Sequence, residues 1–86
     1  MYKILYKKSV EKDLRKLPKS SLAVIVKKIQ LLAKKPQPKG SVKLHGAKNL
    51  YRIRHADYRI VYETNSSELV ILVIKVAHRK EVYRNF

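Results

Sequence analysis

The chain has 86 residues, no cysteine, and 21 lysines and arginines against 6 acidic residues, for a formal charge of +15. That length predicts a single domain over residues 1–86, and the missing cysteines exclude disulfides and thiolate metal sites. So large an imbalance makes a polyanion or a strongly acidic protein the expected partner. The longest apolar run, residues 69–74, is far too short to cross a bilayer, and residues 1–8 lack the apolar core of a signal peptide. A cytoplasmic location with no membrane partner is the expectation.

Residues 2–7 read as a short strand. Ser9 is the expected N-cap of a first helix, in which Val10, Leu14 and Leu17 recur at helical spacing. Glu11 and Asp13 then fall in its first turn, where negative charge is favoured. Pro18 ends it, because the residue before a proline is pushed out of the helical region. A second helix is predicted over about residues 18–34, with Leu22, Ile25, Val26, Ile29, Leu32 and Ala33 as its apolar stripe and Pro36 as its stop. Residues 37–46, with Pro38 and Gly40, read as a loop.

Residues 50–54 and 58–63 read as an antiparallel hairpin joined through His55-Ala56-Asp57. Asn65-Ser66-Ser67 turns the chain into residues 68–77, a nearly continuous apolar run typical of a strand covered on both faces. Residues 80–86 read as a short C-terminal helix or tail. The order β-α-α-β-β-β predicts an α+β fold. A helical hairpin packs on one face of a small, mainly antiparallel four-stranded sheet, leaving the other face partly open.

Between Leu14 and Ala56 there are twelve basic residues and no acidic one. Side chains alternate along a strand, so Arg52, Arg54 and Arg59 gather on one face if helices cover Ile53 and Ile60 on the other. Arg79, after the last strand, is placed to join them. Arginines beside tyrosines, with few carboxylates, suit the grip of a phosphodiester and stacking on a base. Of the three histidines, His45 falls in a loop and His55 at a hairpin tip, which leaves His78 as the acid/base candidate. Their spacing matches no metal-ligand pattern. Glu11 and Asp13, two apart on a helix, do not form an acid/base pair, and the serines have no evident base. Metal, serine-hydrolase and glycosidase chemistry are excluded on these grounds, and no cofactor is expected.

At these residues the chain resembles the RelE/ParE superfamily of toxins, and more closely its RelE branch. The resemblance covers nearly the whole chain. It rests on the short strand and helical hairpin, on Lys43-Leu44-His45-Gly46, on Asp57-Tyr58-Arg59-Ile60-Val61-Tyr62, and on a closing Arg-x-x-Val-Tyr at Arg79 to Tyr83. It implies a RelE-like fold and the toxin of a type II toxin–antitoxin system: a ribosome-dependent, metal-independent endoribonuclease that cuts messenger RNA in the A site of a 70S-type ribosome. A cognate acidic, RelB-like antitoxin in a toxin–antitoxin hetero-oligomer is implied with it.

Position by position, the resemblance assigns Arg52 and Arg54 to two hairpin basic residues that bind and activate the RNA. Arg59 matches the arginine that contacts the scissile phosphate, Arg79 the one at the leaving oxygen, and Tyr83 the C-terminal tyrosine that orients the nucleotide. Lys43, Lys48, Lys80 and Arg84 are the flanking basic residues expected to contact RNA. Two departures stand out: the hairpin pair is lysine in the best-known member, and the step from Arg79 to Tyr83 is shorter here. Arginine stays protonated, so the base is open between Tyr83, His78, ribosomal RNA and a site acting by orientation and electrostatics. The competing readings are a ParE-like gyrase inhibitor, a non-catalytic basic RNA- or ribosome-binding module, and a toxin with a decayed site.

Overall fold

The computed structural model describes residues 1–79. Their order is β1 (Lys3–Tyr6), α1 (Lys8–Arg15), α2 (Lys19–Leu31), β2 (Val42–Lys43), β3 (Leu50–His55), β4 (Tyr58–Asn65) and β5 (Val70–His78). The sheet has five strands in the order β1-β5-β4-β3-β2, antiparallel except for the β1–β5 pair. The α+β architecture expected from the sequence is therefore present, with five strands in place of four. The addition is the two-residue β2, which pairs with Tyr51 and Arg52 inside a segment read as loop. Two residues carry no usable period-2 signal. The expectation for residues 80–86 lies outside the described residues.

Both helices begin without a side-chain cap. Ser9 is not the cap of α1; that position falls to Lys7, whose N–H still bonds to Val73 O at 2.9 Å as the strand pairing runs out. The chain turns helical at the next residue, so Ser9 lies inside the first turn. At the other end of the pair, α2 stops at Leu31 and not at Lys34. Leu32, Ala33 and Lys34 continue as a tighter turn, each N–H donating to the carbonyl three residues back.

The predicted stripe of α2 is buried at Ile25, Ile29 and Leu32. These pack with Val10 of α1 and with Ile53, Ile60, Tyr62, Ile71, Val73 and Val76 of the sheet to form the main core. The opposite face holds only a small cluster of Val61, Ala77, Leu44 and Leu50. β5 is accordingly covered on one face alone: Ile71 and Val73 are fully buried, while Leu72 and Ile74 are half-buried. With a single helical layer, the apolar run of β5 shields part of its outer face with its own neighbours.

A bulge interrupts β5. Val61 and Tyr62 of β4 pair with Lys75 and Val73, so Ile74 is the extra residue. It shifts the alternation by one, which is why Val73 and Val76, three apart, both enter the main core. β1 ends opposite Val73, so beyond that point β5 has no strand on this side among the described residues. Asp13 of α1 takes the strand's place. Its Oδ2 accepts the Val76 N–H and its Oδ1 the Lys75 ammonium, each at 3.2 Å. Asp13 is 9% exposed, so its charge is tolerated because both oxygens are used. Asp13→Ala leaves the Val76 N–H buried and unpaired. It should cost about 1–3 kcal/mol, read as a lower urea midpoint at unchanged slope; an unaltered midpoint would show that the latch contributes nothing.

Candidate functional site

The two-residue turn Ala56-Asp57 sets the register of β3 against β4: Arg52 with Val61, Ile53 with Ile60, Arg54 with Arg59. Ile53 and Ile60 enter the main core, whereas Val61 belongs to the small cluster on the far face. Arg52, Arg54 and Arg59 therefore share the face away from the helices, as the alternation predicts. Arg54 and Arg59 are direct cross-strand neighbours, a like-charge pair that destabilises a sheet in isolation.

Arg59 is 5% exposed. Its Nη1 makes two long bonds, 3.3 Å to Ala56 O and 3.4 Å to Tyr58 O, and its buried Nε has no partner among the described residues. A hollow of about 300 Å³ is lined by Gly40, Val42, Arg52, Ile53, Arg54 and Arg59, with no carboxylate among the described residues. A buried guanidinium with unfilled donors, facing a second one, is stabilised by an anion. The arrangement suits a phosphate held from two or three sides.

The turn also ties in Arg79. Its N–H donates to Asp57 O at 2.7 Å, while Ala56 O receives the Arg59 guanidinium. Ala56 has φ +52°, a left-handed conformation that costs an alanine about 1–2 kcal/mol. These two bonds to the turn's carbonyls help to hold it there. Arg79 thus begins at the arginine end of the sheet, its side chain exposed.

His78 goes elsewhere. It pairs with Tyr58 and meets that ring edge-on, with centroids 6.1 Å apart. Tyr58 packs against the main core, so His78 lies on the face opposite Arg59 and is not brought to the cleft. Lys43 and Lys48 line a different, shallow hollow with His45 and Gly46. Tyr83, Lys80 and Arg84 lie outside the described residues. Among the described residues, no group of three or more His, Cys, Asp or Glu side chains could hold a metal ion, and no helix is long and apolar enough to cross a membrane.

The near wall of the cleft hangs on Tyr62. Its hydroxyl donates to Pro36 O at 2.6 Å, and its ring stacks on Tyr51 at 5.9 Å, whose own hydroxyl accepts from Gln37 Nε2. These contacts fix the start of the loop that carries Gly40 and Val42 into the cleft. Lys28 and Lys39, which line the adjoining hollow with Arg54, have no motif to announce them. Lys28 Nζ reaches Arg54 O at 2.9 Å across 26 residues of chain.

Over residues 4–83 the chain matches the family described as the ParE toxin of type II toxin–antitoxin system, parDE. Toxin RelE3 of Methanocaldococcus jannaschii is 34% identical over 98% of both chains. In the RelE–RelB complex of Pyrococcus horikoshii, a chain 32% identical superposes with a TM-score of 0.81, covering 91% of this chain and 94% of that one. The RelB–RelE antitoxin–toxin complex of Methanococcus jannaschii gives 30% identity and a TM-score of 0.72, covering 95% and 98%.

Two outcomes are expected from this geometry. Burial pushes the Tyr62 hydroxyl up from 10.0 to about 12, with a hydrogen bond from Ser41 pulling partly back. A raised folded-state pKa means the contribution is complete below pH 10 and is lost as pH climbs from 10 toward about 12. Wild type should therefore lose more stability than Tyr62→Phe between pH 9 and 11.5 in parallel denaturant titrations; equal losses would exclude the effect. For the cleft, Arg54→Ala should lower the slope of log K against log salt for single-stranded RNA by about 0.7, one phosphate contact. An unchanged slope would place the phosphate away from Arg54.

Proposed function

The chain belongs to the RelE/ParE family, toxins of type II toxin–antitoxin systems, and from that premise we propose that it is a ribosome-dependent endoribonuclease that cuts messenger RNA in the A site and so halts translation. The observation that carries the proposal is the cleft itself. Arg54 faces Arg59 across the hairpin, and among the described residues the buried Nε of Arg59 has no partner and no carboxylate lines the hollow. The fold retains an electrostatic penalty that a phosphodiester relieves.

In the proposed reaction the ribose 2′-oxygen attacks the adjacent phosphorus. The new P–O2′ bond forms as the P–O5′ bond breaks, giving a 2′,3′-cyclic phosphate and a 5′-hydroxyl. Arg52, Arg54 and Arg59 stabilise charge on the phosphoryl oxygens, Arg79 meets the leaving 5′-oxygen, and Tyr83 orients the nucleotide. No described side chain lining the cleft can take the 2′ proton, since arginine stays protonated and His78 lies on the other face. The described part of the site acts by orientation and charge. The 2′ proton goes to Tyr83, to water or to ribosomal RNA, and water supplies the proton that the leaving 5′-oxygen takes up. Dependence on the ribosome fits that gap.

An acidic, RelB-like antitoxin is the proposed partner, supported by the RelE–RelB complexes among the structural relatives and by the charge of +15. A second reading has one support of its own: the matching family carries the ParE description, which leaves inhibition of DNA gyrase as the alternative.

Primer extension on messenger RNA in a purified translation system tests the proposal. Wild type should cut on translating ribosomes and leave naked RNA intact, and Arg54→Ala and Arg79→Ala, both exposed positions, should each lose about 10²–10³ in rate. A 2′-deoxy residue 5′ of the cut should abolish it. Absence of cleavage together with inhibited gyrase supercoiling would transfer the chain to the second reading.

A further inference from the structure

Next to the arginine cleft lies a second hollow of about 330 Å³, between α2, the loop at residues 38–40 and β3. The two share Gly40, Ile53 and Arg54, which makes them lobes of one groove. The walls of the second lobe carry Lys28, Lys39 and Arg54, again without a carboxylate among the described residues. Its floor is apolar: Leu31, left 57% exposed next to a buried helix stripe, with Pro38 and Ile53. The lobe opens where β2 has run out. Val42 pairs with Arg52, and among the described residues no strand covers the outer edge of β3 past that point.

An apolar floor ringed by cations and continuous with a phosphate site is the arrangement that single-stranded RNA requires, with bases on apolar or planar surface and phosphates on Lys and Arg. We infer that this lobe is a nucleotide subsite, taking the nucleotide next to the one whose phosphate sits in the arginine cleft. The inference rests on reading that cleft as a phosphodiester site. The base lies against Leu31, Pro38 and Ile53, and its phosphate lies between Lys39 and Arg54. Arg54, common to both lobes, bridges successive phosphates and so sets the register of the strand. Leu31 is the side chain that decides which base fits. The volume is at the lower end of the range for small-ligand sites, about 300–1,000 Å³, enough for one nucleotide.

A trinucleotide with 2′-O-methyl riboses, which cannot be cleaved by 2′-oxygen attack, is titrated into the folded protein and followed by NMR. Resonances of Leu31, Lys39 and Ile53 should shift together with those of Arg52 and Arg59. An abasic residue at the flanking position should weaken binding about tenfold, and Leu31→Glu, at an exposed position, should weaken it at least as much while keeping a native spectrum. The inference is overturned if the abasic and intact trinucleotides bind alike, if no shifts reach the lobe at millimolar ligand, or if Leu31→Glu binds RNA normally but loses an acidic antitoxin peptide. None of these readouts needs cleavage. A wild type that binds in this way without cutting RNA would sink the nuclease reading and uphold the subsite.

Discussion

A two-residue turn between β3 and β4 carries the rest of the structure. Because side chains alternate faces, one residue of slip in either strand would turn its isoleucine, Ile53 or Ile60, out of the core and drive its arginine, Arg54 or Arg59, into it. The pairing of Ile53 with Ile60 and of Arg54 with Arg59 is thus one constraint seen from two sides. Core and cleft are the two faces of the same hairpin. The tip is strained at Ala56, and what holds it comes partly from the site, through the Arg59 side chain and the Arg79 backbone.

The bulge at Ile74 performs a comparable task on β5. It resets the alternation so that Val76 joins Val73 in the core while Ala77 lies beneath Arg59 on the outer face. The edge it disturbs is repaired from α1 by a single carboxylate, Asp13, serving a backbone N–H and an ammonium at once. Asp13 is one of only 6 acidic residues in the chain, and it is spent on the fold. Among the described residues that line the cleft the charged ones are all arginines, and that lining links the architecture to an anionic partner.

One helical layer on a five-stranded sheet leaves the second face half-covered by Leu44, Leu50, Val61 and Ala77. It also leaves apolar side chains such as Leu5, Leu31 and Leu69 exposed. A fuller second layer would bury the arginines and close the cleft. The modest core of so short a chain and the open site have the same geometric cause.

Much of this was legible from sequence. The apolar stripe of α2 and the alternation of β3 and β4 are periodic signals, and they defined the α+β class and the shared face of Arg52, Arg54 and Arg59. The RelE-like resemblance added an identity that periodicity alone does not contain. The long-range contacts were not legible. β2 is too short to show a period, Ser9 lost the cap because β1 pairing runs to Lys7, and the bulge that turns His78 toward Tyr58 and away from Arg59 was not read from a nearly continuous apolar run. The capture of Arg54 O by Lys28, and the groove it borders, join residues 26 apart. Local pattern reports which face a side chain takes; which distant side chains meet there depends on register, bulges and strand ends, and these are settled only when the whole sheet assembles.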